Sequence, residues 1–221
     1  MGKLIIWDFD GVVADTEEFW LNIELDALNK YCGLNWDFKT INHYLAGQAF
    51  SHQLMVLSEL GIYPSEEVIE EITENFYKKT IEGFEYTKGI DEVLALKKYQ
   101  HVLGTGGTTD ETLLKLKAVG LEKEFPPDKI FTIDMVQRGK PHPDTFLLAA
   151  EKMGYAPKDC LVVEDSIAGL IAAQRADMVP ICYAGAKMYK DNAEHWAKVK
   201  GLGVEHIFRT MAELKEFLQK L

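Results

Sequence analysis

The chain has 221 residues, of which 47% are hydrophobic and 27% are charged, as expected for one large globular domain or for a core with a smaller insert. Its formal net charge of −11, from 24 Lys and Arg against 35 Asp and Glu, repels a nucleic-acid backbone, so nucleic acid is not an expected partner. The three cysteines lack CxxC spacing, and no apolar run approaches the roughly 18 residues of a membrane span. We therefore expect a soluble, cytoplasmic protein with reduced cysteines.

The first elements in chain order are a strand and a group of helices. Residues 3–9 are β-branched and aromatic and run into Asp10-Gly11, which predicts a buried strand that ends in a turn. Residues 17–32 and roughly 51–82 are helical in character, with leucines near helical spacing at 21, 25 and 28 and at 54, 57 and 60. Pro64-Ser65-Glu66-Glu67 is a helix start signal with acids in the first turn, so two or three helices are expected after the first. Since no convincing strand lies among them, residues 17–84 are predicted to form an all-helical insert.

The rest of the chain, from about residue 87, alternates short apolar runs with amphipathic stretches. This alternation predicts an α/β fold with a Rossmann-like, mainly parallel sheet and helices on both faces. Ligands of such sheets bind at the carboxyl ends of the strands. The predicted strands are 101–105, 130–133, 160–164, 179–183 and 206–208, and the predicted helices are 90–99, 109–119, 144–153, 166–176 and 211–220.

The first candidate site lies where the first strand ends. Asp8 and Asp10 are two residues apart, and the period-2 geometry of a strand puts their side chains on the same side. Two close carboxylates repel each other unless a cation intervenes, and a ligand set of oxygen atoms favours Mg²⁺. Gly11 lets the chain turn sharply and brings a backbone N–H close to an anion. The alternative interpretation is an acidic pair that ends a strand in an ordinary turn.

A second acidic pair, Glu164 and Asp165, ends the apolar run 160–164 and precedes a helix. These acids are placed to complete a metal site from a neighbouring strand. In the alternative interpretation this stretch only caps the helix, with Ser166 and Asp165 as equally good capping residues. Gly169 inside that helix costs stability relative to alanine, so close backbone packing is expected there.

Two loops contain candidate groups for binding an anion. Gly104-Thr105-Gly106-Gly107 places small residues and a hydroxyl at a strand-to-helix turn, which suits a phosphate group. Lys140 lies between Gly139 and Pro141 in a stiff loop, where its charge is able to neutralise phosphate and nucleophile. The simpler interpretations are an ordinary glycine-threonine loop and an exposed loop lysine.

The order of these motifs is more specific than any one of them. DFDGVVADT, GKPHPDTF and VVEDSIAGLIAA, with LGTGG as the loosest match, resemble the haloacid dehalogenase-like (HAD) superfamily over nearly the whole chain. The resemblance is greatest to the branch that holds phosphoglycolate, phosphogluconate and other sugar-phosphate phosphatases together with β-phosphoglucomutase. It implies a core domain of residues 1–16 and 85–221 and a helical cap domain of residues 17–84.

The resemblance also implies catalytic roles for four residues. Asp8 would attack phosphorus and become an aspartyl phosphate. Asp10 would protonate the leaving oxygen and then activate water. Thr105 would hold the transferring phosphoryl oxygens, and Lys140 would balance charge.

The same resemblance implies a bound Mg²⁺ and a small phosphorylated metabolite as substrate. From net charge and hydropathy, neither nucleic acid nor membrane is expected as a partner. The metal ligands would be the Asp8 carboxylate, the main-chain oxygen of Asp10 and Asp165, with Glu164 as a nearby acid. Lys79 is a weaker candidate for binding substrate, because it also suits a solvated helix face. The protein is expected to be a monomer or a weak dimer. The residues expected at the substrate are Gly11, Gly106, Gly47, Gln48 and Lys79.

These inferences predict a Mg²⁺-dependent phosphatase, a phosphoric monoester hydrolase acting on a sugar phosphate or a sugar-acid phosphate. A phosphomutase of the β-phosphoglucomutase type is the alternative. The resembling mutases carry a histidine in the first cap helix and an arginine in the cap loop, and the matching positions here hold Trp20 and Phe50. A dehalogenase of the superfamily would lack Asp10, and a signalling receiver domain would be much shorter and have no helical insert of this size.

Overall fold

The computed structural model describes residues 2–46, 50–189 and 192–221. The chain forms two compact units, one made of Met1–Asp15 and Glu85–Leu221 and the other of Thr16–Phe84. No helix within the described ranges is long and apolar enough to cross a membrane. The predictions for Gly47 and Gln48 lie outside the described residues.

The smaller unit is built from helices α1 (Glu17–Cys32), α2 (Phe38–Leu45), α3 (Phe50–Glu59) and α4 (Glu66–Glu82). Helices α1 and α4 pack together through a hydrophobic cluster, against which Trp20 and Phe50 also pack. The Trp20 ring stacks on Phe76 with centroids 3.5 Å apart and planes 10° apart. Both aromatics thus belong to the core of this unit, whose buried members are Ile23, Ala27, Val68, Ile72 and Phe76.

The larger unit is built on a parallel sheet with strands β1 (Leu4–Trp7), β2 (Gln100–Gly104), β3 (Ile130–Phe131), β4 (Cys160–Glu164), β5 (Val179–Tyr183) and β6 (His206–Phe208). Their spatial order is β3-β2-β1-β4-β5-β6, and every pairing is parallel. In register, Trp7 lies between Leu103 of β2 and Val163 of β4. The strand order reverses beside β1, where ligands of such sheets bind. The predicted fold class is confirmed.

The helices of the larger unit are α5 (Ile90–Leu94), α6 (Thr109–Val119), α7 (Asp144–Met153), α8 (Ile167–Arg175), α9 (Ala193–Gly201) and α10 (Met211–Lys220). The four residues of β1 are fully buried, as are Val162 and Val163 of β4. A central strand covered on both faces has no solvent side, so its sequence is a continuous apolar run. Polar residues follow these apolar runs at once, so each strand ends where its buried run ends.

Two helices differ from the prediction. The helical stretch over 51–82 is not one of them, because α4 begins at Glu66, as the start signal at Pro64 predicts, and Gly61 adopts a φ of +77° between α3 and α4. Helix α5 stops at Leu94, short of the predicted end at residue 99. Helix α9 was not predicted, and its N-terminus is capped by Asn192, whose Oδ1 accepts from the His195 N–H at 2.9 Å.

Candidate active site

Three acidic residues meet at the carboxyl ends of β1 and β4. Asp8 follows β1, Glu164 ends β4, and Asp165 comes next in the chain. All three are buried, and one carboxylate oxygen from each lies within 4.8 Å of the others. The Asp8 N–H donates to the Val163 carbonyl at 2.9 Å, so the pairing of the two strands continues to the site. The acids that the sequence placed on separate strands therefore form one group.

Lys140 links two of these acids. Its Nζ donates to Asp8 Oδ1 and to Glu164 Oε1, each at 2.6 Å, and its side chain is 11% exposed. Burial alone would lower the pKa of Lys140, but the attraction of the two carboxylates raises that pKa above its ordinary value. Lys140 is therefore held as a buried cation, and the interpretation of an exposed loop lysine was wrong.

The balance of charge in this group suits a divalent cation. Burial raises the pKa of Asp8 to about 7, with the charges of Glu164 and Asp10 adding to the rise and Lys140 opposing it. Formally, three carboxylates against one ammonium leave two negative charges. Carboxylate oxygens are the ligands that Mg²⁺ prefers, and a divalent cation would offset this excess. The acidic group therefore fits such an ion.

Two glycines make room for the acidic side chains. A Cβ atom at Gly11 would lie 1.8 Å from Asp165 Oδ2, and one at Gly169 would lie 1.8 Å from Glu164 Oε1. Ser166 donates to Glu164 Oε2 through its N–H at 2.7 Å and its hydroxyl at 2.9 Å, and its Oγ accepts from the Gly169 N–H at 3.1 Å. Ser166, and not Asp165, thus caps α8. The close packing expected at Gly169 is against the Glu164 side chain and not against backbone.

The Asp10 carboxylate points to a different cation. Both of its oxygens accept from Lys115 Nζ, at 2.7 and 2.8 Å. Among the described residues, the group of close acids contains Asp8 but not Asp10. Strand β1 ends at Trp7, and Gly11 turns the chain with a φ of +79°. The charge of Asp10 still raises the pKa of Asp8, and the placement of both side chains on one side, predicted from strand alternation, stays a prediction.

Lys115 was missed from the sequence. It lies on the buried face of α6, and its side chain is 5% exposed. The signal that points to it is a lysine within the buried stripe of a helix, where a charge needs a partner. The other buried residues of that stripe are Thr112, Leu116 and Val119.

Thr105 lies just past the end of β2, the strand beside β1. It is 1% exposed, its N–H donates to the Phe131 carbonyl at 3.0 Å, and its Oγ1 accepts from the Gly107 N–H at 3.2 Å. A Cβ atom at Gly106 would meet no atom of the described residues within 4 Å, so the space beside it is open. The predicted role of this turn in holding a phosphate group stays a prediction.

The loop that carries Lys140 is anchored from two sides. Arg138 forms a double contact with the Asp144 carboxylate, at 3.1 and 2.9 Å, and Arg175 of α8 donates to the Pro141 carbonyl at 2.9 Å. These contacts fix the backbone on both sides of Lys140, which allows a long side chain to hold one position. Of the cap residues predicted at the substrate, Lys79 lies exposed on α4, and its role stays a prediction.

The sequence model of haloacid dehalogenase-like hydrolases matches residues 5–182. The chain belongs to this family. It is 29% identical over 177 residues to the fructose-1-phosphate phosphatase YqaB of Escherichia coli, with 79% of this chain and 92% of that protein covered. It is 28% identical over 185 residues to a phosphorylated carbohydrates phosphatase of Thermotoga maritima, with 79% and 81% covered.

A solved structure supports the same assignment. The haloacid dehalogenase-like protein ATU0790 of Agrobacterium tumefaciens is 26% identical and matches with a TM-score of 0.84, with 100% of this chain and 99% of that chain covered. The predicted family is therefore confirmed. The named phosphatases among the relatives agree with the predicted enzyme class, a phosphoric monoester hydrolase.

Proposed function

We propose that this protein is a Mg²⁺-dependent phosphatase that hydrolyses a small phosphorylated sugar or sugar acid through an aspartyl phosphate on Asp8. The observation that carries the proposal is the buried contact of Asp8 with Lys140 beside Glu164 and Asp165. Relatives named as phosphatases of fructose 1-phosphate and of phosphorylated carbohydrates support the substrate class. The core of residues 1–16 and 85–221 would carry the chemistry, and the helical cap of residues 17–84 would select the substrate.

In the first step an oxygen of the Asp8 carboxylate forms a bond to phosphorus while the bond between phosphorus and the substrate oxygen breaks. Asp10 gives its proton to the leaving oxygen, which departs as an alcohol. The Lys140 ammonium, 2.6 Å from Asp8 Oδ1, offsets negative charge on the phosphoryl oxygens. The Thr105 hydroxyl and the N–H of Gly106 hold those oxygens in place.

In the second step a water oxygen forms a bond to phosphorus while the bond to the Asp8 oxygen breaks. Asp10, now a carboxylate, takes the proton from that water and returns to its starting form. The products are inorganic phosphate and a free Asp8 carboxylate. Phosphoryl transfer of this kind depends mainly on position and on neutralised charge, which this group of residues supplies.

Asp8, Asp165 and the main-chain oxygen of Asp10 would hold the metal ion. When bound, Mg²⁺ supplies positive charge to the phosphoryl oxygens. Glu164 accepts from Lys140 and twice from Ser166, so we assign it the task of fixing Lys140 and the start of α8. Trp20 and Phe50 pack in the core of the smaller unit, which favours a phosphatase over a mutase that needs histidine and arginine there.

The test is a panel of hexose phosphates, sugar-acid phosphates, p-nitrophenyl phosphate and a phosphopeptide, each incubated with enzyme and Mg²⁺ and assayed for free phosphate. Efficient release from small sugar esters is expected, and Asp8→Asn, which conserves size, should lose several orders of magnitude in turnover while remaining folded. Release from the phosphopeptide alone would contradict the substrate class. Retention of a tenth of the activity by Asp8→Asn would contradict the mechanism.

A further incubation separates the phosphatase from the mutase. The enzyme is given β-glucose 1-phosphate with a trace of the bisphosphate, and both free phosphate and glucose 6-phosphate are measured. The proposal expects free phosphate with little isomer. Rapid formation of glucose 6-phosphate with little free phosphate would contradict the proposed phosphatase activity and support a phosphomutase.

A further inference from the structure

Lys115 is a buried lysine whose presence stability does not explain. It occupies the core-facing stripe of α6, where its side chain is 5% exposed. Removing an ammonium and its partner from water costs free energy that their attraction often fails to recover, and apolar residues of similar volume are commonly as stable. An apolar side chain would therefore suit this helix face as well. The presence of a lysine at this position is therefore better explained by the group that it contacts.

The contact is with the second aspartate of the site. Lys115 Nζ donates to Asp10 Oδ1 at 2.7 Å and to Oδ2 at 2.8 Å, and it lies 5.6 Å from the centre of the Phe9 ring. The main chain beside Asp10 is fixed separately, because the Gly11 N–H donates to the Ala14 carbonyl at 2.7 Å. The turn at Gly11 and the contact with Lys115 both restrict the direction of the Asp10 carboxylate.

The carboxylate remains accessible in this position. The Asp10 side chain is 25% exposed although Lys115 contacts both of its oxygens. In its protonated form the exposed part of this group is able to donate an O–H to a leaving oxygen, and in its ionised form it is able to accept a proton from water. The geometry thus combines a fixed orientation with an open side.

We propose that Lys115 is a positioning residue that orients Asp10 for proton transfer. This inference rests on the proposed function, in which Asp10 gives a proton to the leaving oxygen and later takes one from water. Proton transfer requires the carboxylate within hydrogen-bond reach of the moving proton. The two lysines then have separate tasks, since Lys140 neutralises charge at Asp8 and Lys115 orients the proton carrier.

A comparison of two leaving groups distinguishes a role of Lys115 in orienting Asp10 from a general structural role. A sugar alkoxide needs a proton to depart, whereas p-nitrophenolate is a weak base and departs without one. In Lys115→Met, a single turnover of a sugar phosphate is expected to slow by about 10-fold to 100-fold, a part of the usual effect of general acid catalysis. With p-nitrophenyl phosphate, the rate of p-nitrophenolate release in the first turnover of Lys115→Met should stay within about twofold of wild type. The steady-state rate of the variant should be about 10-fold to 100-fold lower than that of wild type, because the attack of water on the aspartyl phosphate still needs Asp10.

The controls are variants of the same helix and of Asp10. Lys117→Met removes an exposed lysine of α6 and should leave both substrates at wild-type rates. Lys115→Arg keeps a cation that reaches Asp10 and should restore part of the sugar-phosphate rate. Asp10→Asn sets the full size of the leaving-group effect. If Lys115→Met fails to fold, Lys115→Gln, which keeps a donor, is measured by the same criteria.

An equal loss on both substrates in the first turnover, or no loss on the sugar phosphate, would overturn the role of Lys115. If Asp10→Asn shows the leaving-group effect and the Lys115 variants do not, the positioning inference fails and the proposed function stands. If Asp10→Asn itself leaves both substrates unchanged, the proposed function fails together with the inference.

Discussion

Replacement of Gly169 by alanine perturbs the acidic group from the helix that follows β4. In an ordinary helix the change would stabilise by about 1 kcal/mol. Here the new Cβ atom would lie 1.8 Å from Glu164 Oε1 and 2.0 Å from its Cδ, so the Glu164 side chain has to move. That side chain is 1% exposed and accepts from Lys140 at 2.6 Å and from Ser166 at 2.7 and 2.9 Å.

The magnitude follows from these contacts. Overpacking of a buried site costs about 1–3 kcal/mol, and each hydrogen bond lost by a charged group costs about 1.5–3 kcal/mol. After the gain in helix propensity, a net loss of roughly 2–4 kcal/mol is expected, which corresponds to about 5–15 °C in melting temperature for a chain of this size. Because Lys140 loses one of its two carboxylates, turnover on p-nitrophenyl phosphate should fall as well.

Gly201→Ala is the matched control for Gly169→Ala. Gly201 also lies in a helix, neither glycine has a positive φ, and a Cβ atom at Gly201 would meet no atom of the described residues within 4 Å. Its melting temperature should equal or slightly exceed that of wild type, measured by calorimetry. If Gly169→Ala melted within about 1 °C of wild type and kept full activity, the packing of Glu164 against α8 would be refuted.

Three further outcomes are expected. Excess chelator should abolish phosphate release and added Mg²⁺ should restore it, whereas full activity in chelator would exclude a required metal. Burial, with the charge of Glu17, raises the pKa of Glu24 in α1 from 4.5 to about 8, so stability is lost as pH rises through this window. Glu24→Gln should therefore raise the melting temperature at pH 8 more than at pH 4, and an equal shift at both would contradict this. Burial lowers the pKa of His101 from 6.5 to about 4, so the stability from its neutral ring, which accepts from Trp7 Nε1 at 3.1 Å, is lost as pH falls from 6.5 to 4. His101→Asn keeps an acceptor, and thermal melts from pH 7 to 4 should show a weaker pH dependence than wild type.

The acidic group of the site could be predicted, because a continuous apolar run that meets acidic residues indicates where a buried strand ends. LIIW and CLVVE are continuous apolar runs, and each is followed or closed by acids. In a parallel sheet such ends share one edge, which makes Asp8 a neighbour of Glu164 and Asp165 once the strands pair. The pairing of β1 with β4 is not visible in either run, and the resemblance of the motifs supplied it.

Side-chain directions beyond the strand ends could not be predicted in the same way. The position of Asp10 depends on a turn at Gly11 and on Lys115, which lies 105 residues away in sequence. The local sequence pattern does not indicate a contact between residues that are so far apart in the chain. Helix α9 was missed for a related reason, because His195 and Val199 are its only buried residues and its helical pattern is weak.

Formal charge explains how a chain of net charge −11 is able to bind a phosphate ester. Four carboxylates and two ammonium groups meet at the site, which leaves two negative charges before any ligand arrives. A phosphate dianion would be repelled by that excess, and a divalent cation would cancel it. Under the proposed function, metal binding and substrate binding would be coupled through charge, so each should strengthen the other. The residues that take part in this balance are Asp8, Asp10, Glu164, Asp165, Lys115 and Lys140.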